Sequence, residues 1–244
     1  MKKSLAIILA ALLLSASFVA CETTDEKETT AGTTADTTVT TDVAGTEATE
    51  TEAAETEEVT TEAPAPSDAE LAAAASVETI ANALIGKYAE FTGVREIYDS
   101  YMSEMPEEDQ ISYEEFISYQ LSVAPVDTTA EELWLQGFAT APTGFSEAYC
   151  YQPMMMGQAF IGYVFRVAEG TDVEAFKKSL TDNCDPRWNI CTMANTTVCE
   201  SFGDLVYFSM MVVADGEEYI DGFTAEQKDA FYNTFIETIK GSAN

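Results

Sequence analysis

Residues 22–67, ETTDEKETTAGTTADTTVTTDVAGTEATETEAAETEEVTTEAPAPS, contain no Phe, Trp, Tyr, Leu or Ile. Thirteen acids and a single lysine lie among them. Ordering a backbone costs roughly 1–2 kcal/mol per residue, and this segment has almost no apolar surface to offset that cost. It is expected to be a disordered Thr/Glu-rich stalk over residues 21–66, extended by its own charge. Both tryptophans, all the tyrosines and every phenylalanine except Phe18 follow it. The fold is therefore expected in residues 67–244, a single domain with a helical part over 67–122 and a sheet part over 130–244.

The chain opens with MKK and the apolar run SLAIILAALLLSASFVA, then Cys21. A basic start and a short apolar run read as a signal peptide over residues 1–20, since the run is too short for an ordinary span. Phe18-Val19-Ala20-Cys21 resembles the lipobox of bacterial lipoproteins, although Phe18 stands where an aliphatic residue is usual. The resemblance implies cleavage before Cys21 and its acylation with chains such as palmitate. Several acyl chains together give stable anchoring to the outer face of the cytoplasmic membrane. Ordinary secretion with a coincidental cysteine is the alternative.

From Asp68 onward there are thirty acids and eight bases. Nucleic acid rewards clustered Lys and Arg, so it is excluded as a partner. Direct docking on anionic lipid is disfavoured in the same way, which leaves the lipid anchor as the membrane contact.

Four capping-box patterns mark helix starts: Ser67–Glu70, Ser112–Glu115, Thr171–Glu174 and Thr224–Gln227. The first is expected to open one long helix with Val77, Ile80, Ala81, Leu84, Tyr88 and Phe91 on its buried stripe and Gly93 at its end. A second runs over Val94–Met105, with Val94, Ile97, Tyr98, Tyr101 and Met105 on one side, and a short third over Tyr113–Leu121. Glu132–Thr140, Ser146–Gln152, Gln158–Ala168 and Asp204–Val213 read as extended. Only Ser209 interrupts the apolar run of the last, so that strand should be central or covered on both faces. Helices over Asp172–Leu180 and from Thr224 onward complete an α+β fold, with N-terminal helices followed by a mostly antiparallel sheet and two covering helices. The segments FSEAYCYQ, FIGYVFRVAEGTDVEAFKKSL and GDLVYFSMMV, together with the lipobox and stalk, resemble uncharacterised lipoproteins of low-GC Gram-positive bacteria. That resemblance implies the fold and the location and carries no activity.

The chain has no histidine, which removes Ser-His-Asp triads, Cys-His dyads and histidine-based zinc sites. It has no P-loop, GxGxxG, GxSxG or SxxK element. Four cysteines follow Cys21, namely Cys150, Cys184, Cys191 and Cys199. They allow three pairings, of which Cys184–Cys191 with Cys150–Cys199 is favoured, against free thiols. Residues 104–116 superficially resemble the end of a calcium loop, but Pro106 and Asp109 stand where a ligand and a glycine are needed. Asn195-Thr196-Thr197 has the form of a glycosylation acceptor and carries no weight in a bacterial lipoprotein.

Residues 150–157, CYQPMMMG, invite a copper(I) reading, because thioethers are soft ligands. In an extended segment Met155 points away from Met154 and Met156, and no histidine supports them. Pro153 and Gly157 instead suit a hairpin loop. The three methionines then either fill core gaps or form a contact rim with Tyr149 and Tyr151. No metal and no cofactor is expected. The resulting expectation is a non-enzymatic envelope lipoprotein that binds an envelope protein or a wall polymer. The alternatives are a hydrolase using carboxylates and a solute- or cation-binding accessory protein.

Overall fold

A computed structural model describes residues 65–154, 158–189, 192–216 and 221–242. The signal peptide, Cys21 and the stalk up to residue 64 lie outside the described residues, as do Met155, Met156 and Cys191. The fold is α+β. Its helices are α1 (Asp68–Ala74), α2 (Val77–Phe91), α3 (Val94–Glu104), α4 (Tyr113–Gln120), α5 (Val173–Asn183) and α6 (Ala225–Gly241). Its strands are β1 (Leu121–Pro125), β2 (Phe145–Pro153), β3 (Phe160–Val167), β4 (Thr196–Phe202) and β5 (Leu205–Met211). They form one sheet in the order β1-β2-β3-β5-β4, and each neighbouring pair is antiparallel.

The apolar run of β5 lands between β3 and β4, and each of its residues from Leu205 to Met211 is buried. Alternation sends Leu205, Tyr207 and Met211 into a core shared with α2 and α6. Val206, Phe208 and Met210 enter a second core on the opposite face, where Phe176 and Leu180 of α5 meet Ile161, Tyr163 and Phe165 of β3. Ser209, the one polar residue in the run, is fully buried and shares a hydrogen bond with the Tyr207 hydroxyl. Tyr207 stacks on Phe235 of α6.

Several boundaries differ from the sequence expectation for local reasons. The first helix is two helices: Ser67 and Glu70 form a full capping box on α1, the chain extends at Ala75, and Ser76 caps α2 afresh through the Thr79 N–H. Leu121 is the first residue of β1 rather than the end of a helix. On α3 the buried residues are Val94 and Met102, while Ile97 is half-exposed. Asp172, not Thr171, caps α5, because its carboxylate accepts the Ala175 N–H. Glu132–Thr140 forms turns rather than a strand, and β4 occupies a stretch that alternation did not reveal. Thr224 and Gln227 do form a capping box on α6.

Arg166 fastens α1 to the sheet. Its guanidinium donates to the carbonyls of Ala72 at 3.1 Å and Ala75 at 2.6 Å, at the end of the helix where carbonyls run short of intrahelical donors. It also pairs with Asp204 at 3.1 Å and Glu147 at 3.5 Å. Gly203, in the two-residue β4–β5 turn with φ 59°, completes the seat: a Cβ there would lie 2.6 Å from that of Ala72. Gly162, in mid-β3, has another reason to be glycine. The ring of Tyr151 lies directly over it, in space that any Cβ would need. Gly162→Ala is expected to destabilise the domain by about 1–3 kcal/mol through overpacking. Adding Tyr151→Leu should recover part of that loss, and urea titration of the single and double variants measures the coupling.

Candidate functional site

The sheet separates the residues proposed to form one rim. Tyr151 is fully buried and belongs to the helix-side core, so it is not a contact residue. Its hydroxyl faces that of Tyr207 without hydrogen-bonding geometry, inside an aromatic packing that includes Phe160. Tyr149 points to the same side, where burial and the nearby carboxylates of Glu78 and Glu147 push its hydroxyl up. Met154 is half-exposed at the end of β2, where its N–H donates to the Gln120 carbonyl. β2 and β3 form the antiparallel pair expected around this loop. Met155 and Met156 fall outside the described residues.

The cysteines are placed by register. Cys150 pairs with Tyr163, Tyr163 with Phe208 and Phe208 with Cys199, so the four residues form one row across the sheet. Three strand spacings separate the two cysteines, roughly 14 Å. A disulfide needs Cα atoms within about 7 Å, so the favoured Cys150–Cys199 pairing is corrected. Cys150, Cys184 and Cys199 are free thiols, and Cys184–Cys191 involves a residue outside the described set. Burial pushes the Cys150 thiol up to about 11 and the Cys199 thiol up to about 12. Met210 and Met211 cannot join Met154 as soft ligands, because they are fully buried in opposite cores. Among the described residues no group of three or more His, Cys, Asp or Glu is arranged to hold a metal ion. In residues 104–116, Ser112 caps α4 by accepting the Glu115 N–H at 3.1 Å.

The second face of the sheet holds a cleft that the sequence reading did not single out. Helix α5 covers this face over β4 and β5. Over β1 and β2 the cover is the turn-rich segment 126–141, which inserts Leu135 and Phe138 into the core and leaves a space beside them. One lobe, about 320 Å³, is lined by residues including Asp127, Glu132, Trp134, Gln136, Gln152 and Tyr163. A second, about 230 Å³, is lined by residues including Gln136, Gln152, Met154, Gln158, Trp188 and Asn189. Gln136 and Gln152 belong to both lobes, so the two adjoin.

The roof of the cleft is fixed. The Tyr163 hydroxyl donates to the Gln136 carbonyl at 2.8 Å, and burial keeps that hydroxyl protonated. Ala139 donates to the Asn183 carbonyl and Asp185 to the Gly137 carbonyl, which ties the segment to the end of α5. Gly137 has φ 88°, and a Cβ there would lie 2.7 Å from the Met210 methyl carbon. Above this frame Trp134 is 75% exposed, the most exposed large apolar side chain among the described residues. The chain's other tryptophan, Trp188, is half-buried against the same core. The Gln158 side-chain amide donates to the Asp221 carbonyl, and Asp127 accepts the N–H and hydroxyl of Thr129. The available signal for this site was the tryptophan pair itself, but only the tertiary fold shows that residues 134 and 188 line adjoining lobes.

Comparison with known protein families, curated proteins and solved structures returns no match. Among the described residues no helix is long and apolar enough to cross a membrane.

The buried thiols set a pH response. Cys150 and Cys199 hold their protons up to about 11 and 12, whereas an ordinary thiol releases its proton near 9.0. Stability from this source is complete below about pH 9 and falls as the pH rises towards 11–12, because the unfolded chain loses protons that the fold retains. Urea midpoints should drop between about pH 8 and about pH 10. Separately, Tyr163→Phe should cost about 1 kcal/mol and speed amide exchange in segment 126–141, through loss of the bond to Gln136.

Proposed function

We propose that the chain is a lipid-anchored extracytoplasmic protein whose folded domain is a non-enzymatic binding module at the cell envelope. The observation that carries this reading is the position of the cleft relative to α1, where the chain enters the domain. Arg166 and Gly203 seat α1 at one end of the sheet, beside the β4–β5 turn. The smaller lobe lies near the other end, against Gln152 and Phe160, and the larger lies on the opposite face towards the β1–β2 edge, against Ala124, Cys150 and Tyr163. The run from Phe160 to Arg166 along β3 spans roughly 20 Å. A domain tethered through α1 therefore holds its cleft away from the tether.

Support for the anchor comes from the apolar leader and Cys21, and for the spacer from the acidic Thr-rich stalk. Binding is preferred over hydrolysis because the cleft offers neutral amides and aromatic surface. Of the two acids that line it among the described residues, Asp127 is already committed to Thr129. In the producing cell, the native protein should incorporate labelled palmitate, and Cys21→Ser should abolish labelling and shed the protein into the medium. A photo-crosslinking residue at Glu132, on the cleft wall, should capture one specific envelope component. Full retention of Cys21→Ser on the cell would remove the anchor, and absence of any specific adduct would remove the binding role.

A further inference from the structure

Resting on the reading of the cleft as a binding site, we infer that its ligand is an uncharged glycan, with sugar rings laid against Trp134 and Trp188 and ring substituents hydrogen-bonded by Gln136 and Gln152. Charge narrows the ligand class. Among the described residues no Lys or Arg lines either lobe, and the two carboxyl groups that do, Asp127 and Glu132, repel anions. A phosphate-bearing or uronate-bearing polymer would meet no counter-charge there, in a domain that is strongly acidic as a whole.

The surface offered to a ligand is aromatic. An indole ring presents a broad apolar face with negative quadrupole character. The C–H face of a pyranose ring is apolar and slightly positive, so the two attract when laid flat. Trp134 leaves most of that surface in water, although it sits between Leu133 and Leu135, which the core holds in place. Trp134 thus offers a broad apolar face to a ligand on a frame that the neighbouring core residues fix.

The polar groups of the cleft suit hydroxyl-rich ligands. Amide side chains both donate and accept, as sugar hydroxyl and acetamido groups require. Gln152 extends from β2 on the same face as Cys150, and the Gln136 backbone is held by the Tyr163 hydroxyl. Both are therefore carried by constrained backbone, which limits the entropy lost on binding. The two adjoining lobes, about 320 and 230 Å³, fall together within the size range of small-molecule sites and suit consecutive residues of an oligomer better than a single compact solute.

Trp134 and Trp188 are the only tryptophans in the chain, so emission excited selectively from tryptophan reports on the cleft. The detergent-solubilised full chain is titrated with tetra-N-acetylchitotetraose, cellotetraose, polyphosphate and tetralysine. A saturable change in emission with either neutral oligosaccharide, at concentrations up to about 10 mM, is the expected result. Trp134→Ala and Gln152→Ala should each weaken that binding about tenfold or more, with the circular dichroism spectrum unchanged. Trp134→Phe should retain part of it, because a smaller aromatic face remains. Saturation by polyphosphate or tetralysine in place of the neutral sugars would overturn the assignment, as would no saturable change with any ligand. A protein adduct at Glu132 in cells, combined with no response to sugars, would leave the binding module standing and sink the glycan.

Discussion

The two central strands, β3 and β5, have no face to give to water. β5 is buried at every position and β3 at all but Arg166. A sheet of this kind needs a cover on each side, and the rest of the architecture supplies the two covers by different means. On one side α2 and α6 pack as regular helices. On the other there is one helix, α5, and the remaining area falls to a segment without regular structure. Irregular backbone cannot tile a flat sheet as a helix can, so space is left between its anchors. The cleft follows from that asymmetry.

Much of the architecture was legible because its signals are short-range. The buried stripe from Val77 to Tyr88, the β5 run and the capping boxes at Ser67 and Thr224 depend on neighbours only a few residues away. Misreadings arose where a tertiary partner decided the outcome. β1 follows α4 without a gap because β2 offers Leu121–Pro125 an edge to pair with. β4 alternates weakly and becomes a strand through its hairpin with β5. Glu132–Thr140 has strand-like composition, but its Leu135 and Phe138 serve as plugs between turns.

The site was less legible than the fold. Alternation correctly separates Tyr149 and Tyr151 from Cys150, yet it does not reveal which face is sealed by helices. Only the assembled sheet shows that the tyrosines belong to the sealed face and that Gln152 belongs to the open one. The cysteines illustrate the same limit. Sequence spacing permits Cys150–Cys199, and cross-strand register places the two at opposite ends of one row. Tryptophan is informative here for a physical reason: a large amphipathic ring left in water is costly enough to mark a surface, once its neighbours are known.

The clamp at Arg166 has a mechanical side. Chain pulled from the amino-terminal end loads α1 first, and α1 is held at its far end by one guanidinium shared among two helix-end carbonyls, Asp204 and Glu147. These contacts act in parallel, so tension is divided among several donors on a single side chain and passed into the end of β3 and the β4–β5 turn. Peeling α1 from the sheet would require those bonds to fail together. The same side chain that positions the first helix is thus the point at which drag on the domain would be borne.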